Sequence, residues 1–126
     1  MNYRNILLID DDEDDQEIFL TALRKVSADV LCTALDDASK ALQQLREKHL
    51  DPDVIFLDLN MPIMNGLQFL GEIKKDATLR SIPVVIFSTS SHPPTISLAH
   101  ELGAMRFITK PDRFSDLIGI LASFLS

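Results

Sequence analysis

Six acidic residues in a row, Asp10, Asp11, Asp12, Glu13, Asp14 and Asp15, follow the apolar stretch "ILLI" at residues 6–9. Folding alone has no use for like charges so close together, so the run raises the question of what cation or phosphate chemistry needs carboxylates there. Other polar residues stand at the ends of similar apolar stretches: Asp58 after "DVIFL", Ser88 and Thr89 after "VVIF", and Lys110 after "RFIT". Hard oxygen ligands suit Mg2+, which keeps several waters and takes one or two carboxylates together with phosphate oxygens. A carboxylate such as Asp58, held beside that ion, can attack a phosphoryl group and become an aspartyl phosphate. Phosphoryl transfer asks mainly for positioning and charge neutralisation. Mg2+ and Lys110 would supply the second from different sides, with Ser88 donating a hydrogen bond to a phosphoryl oxygen.

Those residues act together only if the chain brings the ends of their apolar runs to one place. Five short runs rich in branched residues, at 5–10, 29–35, 53–58, 82–88 and 105–110, read as strands. Between them lie helical spacings: Phe19, Ala22, Leu23 and Val26; Ala38, Ala41, Leu42 and Leu45; and Phe114, Leu117, Ile118, Leu121 and Leu125. Shorter helices are expected over 66–75 and 94–102, the second opened by Pro93 and Pro94. Alternating strands and helices imply a parallel α/β sheet with right-handed crossovers. The runs starting at Ile6, Val54 and Val84 are nearly all apolar, as strands covered on both faces should be, and the two with polar interruptions belong at the edges. The result is a doubly wound, five-stranded parallel sheet of order 2-1-3-4-5, whose ligands bind at the carboxyl ends of the strands where that order reverses. No length is left over for a second domain.

On this sheet the acidic run divides. Asp10 and Asp11 end a strand and face the ion, Asp12 suits a helix N-cap, and Glu13, Asp14 and Asp15 fall in a first helical turn, where the dipole and water favour them. A calcium loop is excluded by the missing alternation, glycine and distal glutamate. The 126 residues carry a net charge of −7, 46% apolar and 25% charged side chains, and no basic patch, which argues against nucleic acid. Cys32 cannot form an internal disulfide and reads as a small buried hydrophobe. No apolar run approaches the roughly 18 residues of a membrane span, and "MNYRN" lacks a leader pattern, so the cytoplasm is the expected location. His92 and His100 have no second ligand at metal spacing, and Met61, Met64 and Met105 read as packing.

Taken together, "LLIDDDEDD", "DVIFLDLNMPIMNGLQFL", "IPVVIFSTSS" and "GAMRFITKP" resemble the receiver domain of bacterial response regulators, over essentially the whole chain. The resemblance implies a flavodoxin-like (βα)5 fold, here as a stand-alone receiver without an output domain. It implies a protein that takes phosphoryl from a histidine kinase or phosphotransfer protein and is no enzyme beyond its own phosphorylation and dephosphorylation. Asp58 then resembles the phosphoacceptor, and Asp10 and Asp11 the metal-binding pair. Asn60 resembles the residue whose backbone carbonyl joins them on Mg2+. Ser88 resembles the switch hydroxyl, Phe107 the switch aromatic, Lys110 the lysine that pairs with Asp58 at rest, and Pro111 the family's cis proline. Departures are Thr89, which narrows access to Asp58; Met105 and Arg106 in place of acids; and Asp112, a cap for the last helix. The output face is expected on the fourth helix, fifth strand and last helix. There Ile96 and Ile120, lying off the core stripes, offer a contact to a partner protein or a second copy. A flavin protein of the same topology would need a glycine- and hydroxyl-rich phosphate loop where the six acids stand. An aspartyl phosphatase or phosphomutase would need an acid at Asn60, and a receiver-like adaptor that never turns over phosphate would not need Asp10, Asp11, Asp58 and Lys110 intact.

Overall fold

Alternation along each strand sends successive side chains to opposite faces, and both faces of the three central strands are buried in the computed structural model, which describes residues 3–126. Met1 and Asn2, the start of the segment read for a leader, lie outside it. In chain order the elements are β1 (Asn5–Ile9), α1 (Glu13–Val26), β2 (Leu31–Leu35), α2 (Ala38–Arg46), β3 (Val54–Leu57), α3 (Gly66–Lys75), β4 (Val84–Ser88), α4 (Pro93–Glu101), β5 (Arg106–Thr109) and α5 (Phe114–Leu125). The strands form one parallel sheet in the order β2-β1-β3-β4-β5, as the apolar runs imply.

Leu7, Ile9, Ile55, Leu57, Val84 and Ile86 pack with α2, α3 and Ala99 of α4 on one side. Ile6, Leu8, Val54, Phe56, Val85 and Phe87 pack with Phe19, Ala22 and Leu23 of α1 and with Leu117, Leu121 and Phe124 of α5 on the other. The expected stripe of the last helix needs correction. Phe114 is exposed, whereas Phe124 is core, stacked on Tyr3 at 4.7 Å and edge-on to Phe56 at 5.2 Å. Phe114 opens α5 at the rim of a cavity that it lines with Ile18, Phe87 and Lys110.

Asp12, Asp37 and Asn65 cap their helices through side-chain oxygens. Asp112 does not cap α5: the N-cap there is Arg113, without a side-chain bond. Ile96 and Ile120 are half-buried rather than free. The exposed apolar side chains of that region among the described residues are Leu98 on α4, Phe114 on α5 and Met105, which therefore is not a packing residue. Cys32 is half-buried on the edge strand, and burial pushes its thiol up to about 12. Among the described residues no helix is long and apolar enough to cross a membrane.

Candidate functional site

β1, β3 and β5 stop just before Asp10, Asp58 and Lys110, β4 ends on Ser88 itself, and backbone bonds pin the first three residues to the neighbouring strand. The amide of Asp10 donates to Leu35 O at 3.0 Å, that of Asp58 to Ile9 O at 2.9 Å, and that of Lys110 to Ser88 O at 2.7 Å. The two-residue period then decides where side chains go. Asp10, Asp58 and Lys110 continue the phase of Leu8, Phe56 and Ile108, towards the α1–α5 layer. Ser88 and Phe107 continue the phase of Ile86, towards α4, and Phe107 packs into that layer. Carboxylate oxygens of Asp10, Asp11 and Asp58 all lie within 4.8 Å of one another. Asp10, Asp58 and Ser88 are buried, whereas Asp11 is exposed.

Lys110 sits over the Phe87 ring, its Nζ 5.7 Å from the centroid. Its nearest partners are not the expected one. Nζ donates to Asp10 Oδ2 at 2.8 Å and to Asp15 Oδ2 at 2.9 Å, while Asp58 Oδ2 is 3.7 Å away. The resting pairing with Asp58 is therefore a loose ion pair and not a hydrogen bond. Asp15, read as a solvated first-turn acid, is part of the site. Burial pulls the Lys110 ammonium down, but its bonds to Asp10 and Asp15 and the charges of Asp10 and Asp58 outweigh this and hold it at about 12. Asp58 is pushed above the usual carboxylate range. Burial is the main cause and Asp10 adds to it, against the pull of Lys110 and of the backbone N–H groups of Asn60 and Leu59.

Local geometry holds Asp58 from behind. A β-carbon on Gly66 would lie 2.4 Å from Asp58 O and 2.8 Å from Leu59 Cα, so only glycine lets α3 start this close to the phosphoacceptor candidate. Asn65 and Gln68 close a reciprocal capping box over that start. In the intervening loop Ile63 stands at φ 68° with 94% of its surface exposed, a strained conformation for a β-branched residue.

Asp10, Asp11, Asp58 and Lys110 thus converge as expected, Asn60 lies exposed two residues beyond Asp58, and buried Ser88 is tied to Lys110 through its backbone carbonyl. Ser88 Oγ accepts from Ser90 N–H at 3.4 Å, and Ser90 O accepts from Thr109 Oγ1 at 3.2 Å. The cis proline is corrected: no cis peptide bond occurs among the described residues, so Lys110–Pro111 is trans, the isomer that X–Pro bonds ordinarily favour. The sequence pointed to no role in the site for Gly66 or Phe87, and only to a solvated first-turn place for Asp15. For Asp15 a signal existed: it lies one turn before Phe19, on the buried stripe of its helix.

Comparison with known proteins agrees with this architecture. The response regulator receiver domain family matches residues 6–122. Two-component response regulator ORR11 of Oryza sativa is 35% identical over 123 residues, 96% of this chain and 80% of its own. Among solved structures, the phosphorylated cyanobacterial phytochrome response regulator RcpA superposes with a TM-score of 0.88 at 32% identity, covering 97% of this chain and 91% of its own. The Mn2+-bound form of response regulator Rcp1 gives 0.84 at 31% identity, covering 96% and 91%. The chain belongs to the response regulator receiver domain family, the signalling proteins of two-component phosphorelays.

Proposed function

We propose that Asp58 accepts a phosphoryl group from a phosphohistidine of a histidine kinase or phosphotransfer protein, and that the protein signals through the conformation this stabilises. The observation that carries the reading is the buried Asp58 carboxylate beside Asp10, Asp11 and Lys110 at the carboxyl edge of the sheet. An Asp58 oxygen forms the new O–P bond as the donor's N–P bond breaks, and the imidazole nitrogen released takes up a proton.

The donor set fits a hard divalent cation. Three carboxylates share one corner, and among the described residues Lys110 is the cation within ion-pair distance of them, which leaves an excess of negative charge in a partly buried place. Asp10, Asp11 and Asp58 would hold Mg2+, with the carbonyl of Asn60. When bound, the ion supplies charge neutralisation for the phosphoryl oxygens. Lys110 supplies the rest from the opposite side, and its backbone tie to Ser88 keeps it within reach. Ser88 donates its hydroxyl hydrogen to a phosphoryl oxygen. In turning it forfeits the 3.4 Å bond from Ser90 N–H, which loosens the β4–α4 loop that holds Thr109. Phe107, on the same side of the sheet as Ser88, then repacks, and the response leaves through α4, β5 and α5 to a partner protein or a second copy.

Acetyl phosphate labelling tests this. Label is expected in the wild type with Mg2+, absent from Asp58→Asn, and abolished by chelator. Full labelling of Asp58→Asn removes Asp58 from its role.

A further inference from the structure

Lys110 has more carboxylates around it than the phosphoryl chemistry needs. Two of its N–H groups are taken, by Asp10 at 2.8 Å and Asp15 at 2.9 Å, and Asp58 is left at 3.7 Å. The two bonded partners are unequal. Asp10 is buried and is bound through its other oxygen by the amide of Asp12 at 3.0 Å, whereas the Asp15 side chain is 37% exposed and water can replace Lys110 on it. Neither backbone can follow a moving ammonium. The Asp15 amide is held by the Asp12 cap at 3.1 Å, and the Lys110 amide by Ser88 O at 2.7 Å. A phosphoryl group on Asp58 brings up to about two negative charges and three acceptor oxygens. It therefore competes for Lys110, and the partner that yields is the one whose loss is cheapest.

We propose that Asp15 is a positioning residue that holds Lys110 back from Asp58 until a phosphoryl group arrives, and whose carboxylate is released when Lys110 turns to that group. This rests on Asp58 being the phosphoacceptor. The exchange reaches the surface, because Asp15 and Lys110 line a cavity of about 200 Å³ together with Ile18, Phe87, Arg113 and Phe114. In the resting protein Lys110 covers the Asp15 charge there; in the phosphorylated protein that charge faces the cavity and Arg113. The rim beside α1 thus changes its charge with phosphorylation, independently of Ser88 and Phe107.

The test uses Asp15→Asn, with Asp14→Asn as a control from the same helical turn that does not touch Lys110. The first readout is the Lys110 ammonium signal in 15N-lysine NMR without metal, assigned through Lys110→Arg. Asp15→Asn is expected to shift it part of the way towards its position in the wild type bound to Mg2+ and beryllofluoride, and Asp14→Asn to leave it in place. The second is the beryllofluoride half-saturation at saturating Mg2+. Asp15→Asn is expected to lower it about two- to fivefold, the size of a half-exposed ion pair. A Lys110 signal that does not move in Asp15→Asn, or an unchanged or weaker affinity for the mimic, overturns the role of Asp15. A wild type that does not respond to beryllofluoride overturns the phosphoacceptor reading instead, and the metal-free signal still decides whether Asp15 holds Lys110.

Discussion

Changing Asp58 to Asn keeps the side-chain shape, and the oxygen that faces the amides of Leu59 and Asn60, while it removes one charge from the acidic corner. The neighbours give no net attraction to rely on. At an effective dielectric near 20, Lys110 at 3.7 Å attracts the charge by about 4 kcal/mol and Asp10, within 4.8 Å, repels it by about 3, to which exposed Asp11, also within 4.8 Å, adds a water-screened repulsion. Desolvation, the largest influence on Asp58, therefore decides the sign, and it opposes the charge. Without metal at neutral pH, Asp58→Asn is expected to be more stable than the wild type by about 1–2 kcal/mol, the usual sign when a charge kept for function is removed. For a chain of this length that is a rise in Tm of about 3–8 °C, measured by calorimetry in chelator.

The pH dependence has a definite sign. The folded pKa of Asp58 lies above its unfolded value. The wild type therefore loses stability as pH rises through that interval, and its deficit is complete above the folded pKa. Acidification below about 4, where Asp58 is protonated in both states, must close the gap between the two proteins. Mg2+ should reverse their order, because it binds the folded wild type and has lost a ligand in the variant. Equal or lower stability of Asp58→Asn in chelator, or a gap that widens on acidification, refutes the reasoning.

Gly66→Ala drives a methyl group into Asp58 O and Leu59 Cα; a loss of about 2–3 kcal/mol in urea unfolding is expected, with slower acetyl phosphate labelling. Ile63→Gly relieves the positive φ and uncovers nothing, so it should gain about 1 kcal/mol by the same measurement. Lys110→Ala leaves Asp10 buried without its cation and should cost about 3 kcal/mol in chelator. Because the Lys110 pKa is raised, that cost persists below about 10.5 and fades only as pH passes about 12. Leu98→Asp and Met105→Asp should abolish beryllofluoride-dependent binding of a partner or second copy while Asp58 labelling survives. Binding unaffected by both would move the output surface away from α4 and the start of β5.

Much of this was written in the sequence because a parallel sheet leaves few choices. Nearly pure apolar runs must be central, so strand order follows, and order alone gathers Asp10, Asp58, Ser88 and Lys110 on one edge. The limits of α3 agreed to the residue, and its start is held by the capping box of Asn65 and Gln68. What stayed hidden depends on reach and not on pattern. Lys110 has a long flexible stem, and no spacing rule says which of several acids it meets. Phe124 falls on the same helical face as Leu117 and Leu121 and was legible but left out, whereas Phe114 keeps that periodicity in the first turn of α5 and is exposed. The isomer of Pro111 hangs on about 0.5–1 kcal/mol, which a short motif does not determine.

The two faces of the sheet also set a condition on how the signal travels. The acids and the Lys110 ammonium lie on the α1–α5 side, while Ser88 and Phe107 lie on the side of α4. On the proposed reading, a phosphoryl group on Asp58 meets the Ser88 hydroxyl at the open carboxyl edge, because the close-packed core behind that edge does not deform gradually. Lys110 spans the two sides. Its side chain sits among the carboxylates, and its amide holds the carbonyl of Ser88, whose hydroxyl in turn receives Ser90 N–H. The carboxyl edge of β4 and β5 is also where the ladder ends, Ser88 pairing with Thr109 as the last register of the sheet. Movement there costs no interior strand bond. Coupling is therefore expected to run along this edge, with Lys110 and Ser88 as its two ends, and to leave the β1–β3 centre of the sheet unchanged.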